Sequence, residues 1–350
     1  YYQHPDWIIK YGKKNYYNPG LPEVREKFNN IIEELVTKYE VDAIHFDDYF
    51  YPYKVEGETF SDEETFKKYG LQDQTLEDWR RSNVDSLVRN VHETIKTNKP
   101  WVQFGISPFG VWKNKSTDPR GSDTKAGQTT YEDLYADPLL WVKEGWLDYL
   151  APQVYWSMEY AVASHKVITT WWANNTPNTN LYVGNGTYKI KNNADKAWKK
   201  KNEIPKQLNF ARDLENIDGN IFFSAKSLIG QHKKVNKKLQ KKFYSLPAEN
   251  PGPLNKVVRE IQLPAIDSVH LNNQVLDICI SHTDDIPRFL NLYISKRGKT
   301  QLVGKEYLSE SDRDGCYQLN LTEKQQRSNL QINISDAFGN QSAMQPINIK

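Results

Sequence analysis

The chain has 350 residues, enough for two domains or for one large domain with a smaller one. Its 46 Lys and Arg nearly balance its 44 Asp and Glu, which leaves no electrostatic footprint for nucleic acid or an anionic membrane. No run reaches the length of a membrane-spanning helix, and no P-loop, dinucleotide glycine pattern or zinc-type Cys/His cluster appears, so no cofactor and no metal is expected.

Residues 1–20 read as an aromatic loop with one short strand near 15–18. Over 22–39, Val24, Phe28, Ile31, Ile32, Leu35 and Val36 recur at spacings of three and four, an amphipathic helix opened by Pro22 and Glu23. A buried strand over 41–48 follows. It ends on two adjacent acids, Asp47 and Asp48, with Tyr49, Phe50, Tyr51 and Tyr53 directly behind. Residues 49–74 read as a long polar and aromatic loop. A helix covers about 75–97, with Thr75 and Asp78 spaced as a capping-box variant. A second strand, 102–107, runs into a segment rich in Gly, Ser, Thr and Asp over 111–137, and loops of that length are usually functional. A helix (138–144), a strand (149–156), a helix (161–174), a strand (181–186), a helix (about 194–215) and a strand (219–224) complete an alternation that indicates a parallel sheet or barrel.

The lysine-rich run 233–242 carries Val235, Leu239 and Phe243 at helical spacing, so it reads as a solvated amphipathic helix rather than a nucleic-acid patch. Pro247, Pro251, Gly252 and Pro253 mark a linker over 247–254, closing a first domain of residues 1–246. From 255 to 350, short alternating runs (275–280, 289–295, 330–334) broken by turn residues predict a small all-β sandwich of immunoglobulin or fibronectin-III type. The turn Asp336–Asn340 suits its last hairpin. Cys279 and Cys316, the two cysteines, either form a bridge or serve as small buried hydrophobes. The chain starts Tyr-Tyr-Gln-His-Pro, with neither Met nor signal peptide, and reads as a mature fragment or an engineered piece.

Acids at the C-terminal end of a parallel strand, rimmed by rings, are where a barrel keeps its chemistry. The 21 Tyr and 10 Trp either line such a cleft, where the C–H face of a sugar packs on them, or fill an aromatic-rich core. Alternation separates the two acids: Ile44 and Phe46 share a face with Asp48, and Ala43 and His45 with Asp47. With the bulkier face under the helices, Asp47 aims at the barrel axis and Asp48 leans toward the neighbouring loop. The same count turns Gly105, Ser107, Ala151, Gln153 and Tyr155 inward. Asp47, Ser107, Gln153 and Tyr155 then meet at one end of the barrel, as a reactive constellation or as a satisfied buried network.

Six ordered segments carry a resemblance: His4–Trp7, Tyr16–Arg25, Val41–Pro52, Ile106–Trp112, Tyr131–Asp137 and Asp148–Trp156. Together they resemble the glycosyl-hydrolase-like 10 family over about residues 1–245. That family includes a divisome-localised peptidoglycan glycan hydrolase of enteric bacteria. The resemblance implies a TIM-like (β/α)8 barrel. Six strands, the short one near 15–18 included, cannot close such a barrel, so its first two strands are expected upstream of Tyr1. It also implies a glycoside hydrolase acting on polymers of N-acetyl sugars, most of all peptidoglycan glycan strands, in the cell envelope. Pro119–Ser122 and the trailing sandwich look most like the family's Bacteroidetes lipoproteins. A periplasmic or outer-membrane lipoprotein is then expected, held to the membrane only through an N-terminal lipid anchor outside this chain.

Glycoside hydrolysis usually takes two carboxyl groups. Asp47 is expected to be the principal one. Asp48 is the candidate partner, weighed against Glu159 and against Asp118, Asp133 and Asp137 in the long loop, the last two equally suited to anchoring it. The strand also resembles the family 18 chitinase signature, with Asp42 and Asp47 in register but His45 and Tyr49 where that signature has acids. That leaves a substrate-assisted route in which Tyr155 holds the N-acetyl group and Asp48 is the acid. Expected substrate contacts are Asn18, His45, Tyr49, Ser107, Asn114, Arg120, Gln153, Tyr155, Trp156, Glu159 and Tyr188, with Arg120 matched to a muramic carboxylate. Two competing readings are a hydrolase of another polysaccharide and a non-catalytic sugar-binding protein on a barrel scaffold.

Overall fold

A computed structural model describes residues 3–200, 202–249, 251–254, 266–280, 287–296, 298–308 and 315–347. The chain divides into two compact units, Tyr1–Asn236 and Lys237–Lys350. The division falls inside the lysine-rich helix, ahead of the proline-marked stretch at 247–254. The expected start of the sandwich, 255–265, lies outside the described residues.

The first unit opens with β1 (Ile8–Tyr11) and β2 (Lys14–Tyr17), an antiparallel hairpin that reverses at Gly12, whose φ of +58° suits a residue without Cβ. The strand expected near 15–18 is therefore half of a hairpin and not part of the parallel sheet, which lowers the count there from six to five. Then come α1 (Pro22–Lys38), β3 (Ala43–Phe46), α2 (Glu63–Tyr69), α3 (Leu76–Asn98), β4 (Gln103–Ile106), α4 (Thr130–Asp133), α5 (Pro138–Lys143), β5 (Tyr149–Leu150), α6 (His165–Asn175), β6 (Asn180–Gly186), α7 (Glu203–Arg212) and β7 (Gly219–Phe223). Thr75 caps α3 by accepting from the Asp78 N–H at 3.1 Å. α2 interrupts the stretch read as loop; Glu63 and Glu64 occupy its first turn, where the helix dipole favours acids. The helix expected over 194–215 is divided by a short 3-10 turn, Lys196–Lys199, before α7 begins with Pro205 near its start.

The five parallel strands lie in chain order, β3-β4-β5-β6-β7, the connectivity of half a β/α barrel. β5 is two residues long, because Pro152 has no N–H to continue the ladder. Its carbonyl still accepts from Gly184 N at 2.9 Å, and Gln153 bridges to both Phe109 and Gly184. The C-terminal strand ends thus stay stitched together beyond the regular ladder. On the outer face, Val84, Val88, Val91 and Ile95 of α3 are fully buried at spacings of four, three and four, with Phe104, Ile106 and Leu150 in the same core.

α8 (Lys233–Lys242) spans the division between the units. The second unit contains β8 (Ile266–Asn272), β9 (Val275–Ile280), β10 (Pro287–Lys296), β11 (Lys299–Tyr307), β12 (Gly315–Asn320), α9 (Glu323–Gln326), β13 (Asn329–Asp336) and β14 (Gln345–Ile347). Its strands form two antiparallel sheets, β11-β10-β13-β14 and β12-β9-β8. Alternate residues of both, among them Leu276, Ile278, Leu292, Leu319 and Ile332, share one apolar core. In the turn before β14, Asp336 Oδ1 accepts from Phe338 N at 2.9 Å and Asn340 N at 2.7 Å, and Gly339 takes a φ of +76°. Cys279 and Cys316 sit opposite each other on β9 and β12 and are bridged, with Cα atoms 3.9 Å apart. The bridge lies on the face away from Ile278 and Tyr317, so it ties two strands of one sheet and takes no part in the core.

Candidate active site

β3 delivers the acids. His45 and Asp47 project to one face, and Phe46 to the other, where its ring meets Phe28 of α1 at 5.5 Å and Phe104 at 5.0 Å. His45 Nδ1 lies 2.9 Å from Tyr149 Oη, and Nε2 lies 3.1 Å from Ser107 Oγ. Desolvation among these neighbours holds the imidazole below its usual pKa, although Asp47 pulls the other way. At neutral pH a neutral ring therefore donates through one nitrogen and accepts through the other.

Asp47 is solvent-exposed, and its Oδ1 accepts from Gln153 Nε2 at 2.7 Å and from Asp48 N at 2.8 Å. Gln153 Nε2 also donates to the Ser107 carbonyl at 2.9 Å, so the segments after β4 and β5 jointly hold the carboxylate that follows β3. Asp48 is 2% exposed, and Tyr53 Oη donates to its Oδ2. Burial pushes the Asp48 carboxyl up to about 6; the Tyr53 hydrogen bond opposes that shift, and the charge of Asp47 adds to it. The Tyr155 phenol is raised by desolvation and then by Asp47, which keeps it protonated and able to donate.

Both acids line a cavity of about 260 Å³ with Tyr49, Tyr53, Phe109, Gln153, Tyr155, Trp156, Tyr188, Lys189 and Phe223. Its walls are rings in mutual contact: Tyr155 lies 5.9 Å from Tyr188 and 6.0 Å from Phe223, and Trp156 stands edge-on to Phe109 at 5.5 Å. A more apolar cavity of about 460 Å³ adjoins it at Asp47 and Tyr49 and runs past His45 to Trp7, Tyr16 and Phe28. The smaller cavity is the site, because it alone of the two reaches both carboxylates and the Tyr155 phenol.

Two polar networks hold the rim. Buried Arg80 donates to Asp62 Oδ2 at 3.0 Å, to the Phe60 carbonyl at 3.0 Å and to Tyr135 Oη at 2.9 Å. It thereby joins the 49–74 segment to the 111–137 loop, with Tyr51 buried between Phe60 and Tyr135 at 5.4 and 5.1 Å. That anchorage sets where Tyr53 meets Asp48. Behind Trp156, Gln207 Nε2 donates to the Trp156 carbonyl at 3.1 Å, Asn185 Nδ2 to Gln207 Oε1 at 2.9 Å, and Asn220 Nδ2 to Asn185 Oδ1 at 2.8 Å. Glu203 accepts from Met158 N at 2.7 Å. Buried and satisfied, these groups fix the 153–158 segment.

His45, Tyr49, Ser107, Gln153, Tyr155, Trp156 and Tyr188 thus converge with Asp47 and Asp48, four of them as cavity walls with Gln153, and His45 and Ser107 as the layer beneath. Four expected contacts lie elsewhere. Asn18 is buried, accepts from Gly20 N at 3.0 Å and donates to Thr65 Oγ1 at 2.8 Å, so it builds a turn. Asn114 accepts from Thr124 Oγ1 and Ala126 N at 2.8 and 2.9 Å inside the long loop. Arg120 grips Asp118 through Nε at 3.0 Å and Nη2 at 2.7 Å over the Trp112 ring, which commits it to the loop surface. Glu159 is exposed in a groove with Asp123, Lys166 and Trp171, apart from the cavity. The loop acids are anchors as well: Asp133 pairs with Lys54 and accepts from Thr129 N at 2.6 Å, and Asp137 accepts from Trp112 Nε1 at 3.1 Å. Conversely, Phe109, Lys189 and Phe223 are wall residues that sequence reasoning passed over, while Tyr53 joins the wall as one of the rings read behind the acids. Phe223 ends the fifth parallel strand, and Lys189 follows Tyr188 just past the fourth, so counting strand ends would have reached both. Among the described residues, no group of three or more His, Cys, Asp or Glu converges to hold a metal ion.

Adjacent acids in unlike surroundings, at the C-terminal end of one strand of a parallel sheet and walled by rings, define a β/α protein whose candidate site lies where β/α barrels keep their chemistry. The chain belongs to the glycosyl hydrolase-like 10 family, whose profile matches residues 1–200. It is 46% identical over 252 residues to glycosyl hydrolase YngK of Bacillus subtilis, covering 71% of this chain and 49% of that protein. It is 41% identical over 230 residues to glycosyl hydrolase DigH of Escherichia coli K12, covering 64% of this chain and 52% of that protein. The chain thus spans about half the length of these curated relatives. A solved β-glucuronidase from Bacteroides uniformis aligns with 95% of this chain and 37% of its own, at a TM-score of 0.39 and 10% identity, a likeness too remote to carry argument.

Proposed function

We propose that the protein is a glycoside hydrolase that cleaves polymers of N-acetyl sugars, most directly the glycan strands of peptidoglycan, with Asp47 and Asp48 as its reacting carboxyl groups. One observation carries this reading: two adjacent acids share an aromatic cavity but not an environment. Asp48 is sealed under Tyr53 with its pKa pushed up to about 6, while Asp47 is open to solvent and gripped by Gln153. Environments that separate two carboxyl groups are what divides acid from partner in glycoside cleavage. Asp48 gives its proton to the leaving glycosidic oxygen. The substrate's acetamide oxygen attacks the anomeric carbon, with Asp47 accepting from the acetamide N–H and Tyr155 donating to its oxygen. Water then attacks the anomeric carbon and breaks its bond to the acetamide oxygen, and the Asp48 carboxylate takes the water's proton, which restores the acid.

The chain-order parallel sheet supports a TIM-like (β/α)8 barrel as the parent fold, and the two antiparallel sheets support an immunoglobulin or fibronectin-III-like sandwich. The sequence resemblance supports a cell-envelope location as a periplasmic or outer-membrane lipoprotein, which fractionation of the native host tests. A second reading, sugar binding without cleavage, draws on Tyr49, which is 62% exposed at the rim as a ready stacking surface. Purified sacculi and peptide-free glycan strands separate the two. New reducing ends from the unmodified protein, lost in Asp47→Asn and Asp48→Asn, support hydrolysis. Sedimentation with the glycan and no release supports binding, and release only from other polysaccharides moves the substrate.

A further inference from the structure

We propose that Lys189 is a specificity-determining residue that recognises a carboxylate on the glycan, so that the cavity selects an acidic sugar over its neutral counterpart. This rests on the cavity being a sugar site, and it adds the charge of the sugar that the site prefers.

Lys189 ends a short 3-10 turn, Thr187–Lys189, directly after β6. The turn is rigidly held: Thr187 is fully buried, donates to the Phe223 carbonyl at 3.0 Å and shares a hydrogen bond with Ser227, and Ile190 is buried behind it. The lysine stem is carried along the ring wall, and Nζ stands 5.8 Å from the Trp156 ring centre and 5.9 Å from that of Tyr188. It lines the same cavity as Asp47 and Asp48. No carboxylate lies within ion-pair distance of it among the described residues, and its donors there have no hydrogen-bond acceptor.

The acids nearby are already engaged. Asp47 accepts from Gln153, Asp48 accepts from Tyr53, and Asp195 accepts from Ser157 Oγ and from Ala197 N at 2.9 Å. Half-burial lowers the Lys189 pKa, with Asp195 partly opposing that shift. An ammonium held against rings without an anion is poorly solvated, and an anionic ligand that enters restores what desolvation removed. A sugar carboxylate is that ligand: it brings charge and acceptor oxygens on a ring that can stack on Trp156. Arg120, which sequence alone matched to such a group, is bound to Asp118 on the loop surface and leaves the role open. Two chemical sources share it, a uronic acid and a lactyl ether on an amino sugar.

Equilibrium binding tests this on the full chain carrying Asp48→Asn, which prevents turnover. The probes are an N-acetylated tetrasaccharide bearing a lactyl ether, the same compound with its carboxylate amidated, and a uronate tetrasaccharide. The lactyl acid is expected to bind about 10- to 100-fold tighter than its amide, the range for a hydrogen bond to a charged group. Adding Lys189→Gln should bring that ratio close to one, and Lys189→Arg should keep most of it. Comparable tightness for the uronate identifies any carboxylated sugar as the ligand class; weaker uronate binding confines it to the lactyl ether. A ratio near one before mutation, a ratio untouched by Lys189→Gln, or absence of binding by every probe overturns the proposal. Failure of the hydrolase reading shows separately, as no reducing ends from the unmodified protein while the acid-to-amide ratio persists.

Discussion

Gln153 Nε2 donates to Asp47 Oδ1 at 2.7 Å across 106 positions of chain, and the same nitrogen serves the Ser107 carbonyl at 2.9 Å. One amide therefore aligns the acid after β3 against the segments after β4 and β5. Gln153→Ala removes that grip and leaves the ring walls of the cavity in place. A misplacement of an ångström at a reacting group can cost two orders of magnitude. Gln153→Ala is expected to lower kcat about 10- to 100-fold on glycan strands with a much smaller change in KM. Steady-state reducing-end assays check this, and equal kcat in the two proteins would remove Gln153 from the mechanism.

Asp48 links activity to stability through pH. Its folded pKa of about 6 lies above the ordinary aspartate value, so the fold binds the protonated form more tightly than the unfolded chain does. That stabilising preference is complete below about pH 4 and is lost as pH rises through 6. The ionised form costs the fold up to about 3 kcal/mol above that window, at 1.36 kcal/mol per unit. Asp48→Asn keeps an oxygen for Tyr53 and carries no charge. It should therefore melt higher than the parent at pH 7.5 and close to it at pH 4, while activity falls about 10²- to 10⁴-fold. Calorimetry at the two pH values decides the first point. A gain of the same size at both would show that Asp48 is not held protonated by the fold.

The parts of this architecture that sequence makes legible are those set by local periodicity. The helix at Pro22–Lys38, the Thr75 cap and the strand–helix alternation follow from spacing and side-chain chemistry within a few residues. So does the inward turn of His45, Asp47, Gln153 and Tyr155, because strand alternation leaves two choices and bulk decides between them. What stayed hidden depends on contacts distant in the chain. Asn114 and Arg120 have suitable functional groups and sit in a long loop, but the loop satisfies them internally, through Thr124 and Ala126 in one case and Asp118 in the other. Lys189 looks like any surface lysine until the segment after β5 and the end of β7 bring Trp156 and Phe223 around it. The β1–β2 hairpin was missed for another reason: its signal is a single glycine, Gly12, between two short aromatic runs.

Arg120 separates a loop anchor from a substrate contact. Its side chain is 71% exposed while it grips Asp118, and exposed ion pairs contribute little. Its backbone carbonyl, which accepts from Trp171 Nε1 at 2.8 Å, survives substitution. Arg120→Ala should leave kcat/KM within about twofold and cost less than about 1 kcal/mol. A tenfold loss of kcat/KM at unchanged melting temperature would return Arg120 to the site.

Gly105 is the position where the floor of the site tolerates least change. A Cβ there would stand 2.1 Å from Cε2 and from Cζ of Tyr149, far inside van der Waals contact. The ring has nowhere to go: it holds His45 Nδ1 through its hydroxyl at 2.9 Å and meets Tyr182 edge-on at 5.5 Å on its other side. Gly105→Ala therefore forces either β4 or the ring out of place, a core overpacking that costs about 3 kcal/mol. It also frees His45 beneath Asp47, so activity should fall in the protein that still folds. Tyr149→Ala opens a cavity by itself, yet in the double variant the added methyl enters vacated space. Gly105→Ala/Tyr149→Ala is expected to be more stable than the sum of the single losses by 1 kcal/mol or more, a coupling of the size seen for residues in contact. Urea unfolding of the four proteins measures it, and strict additivity would mean that the glycine is not there to admit the ring.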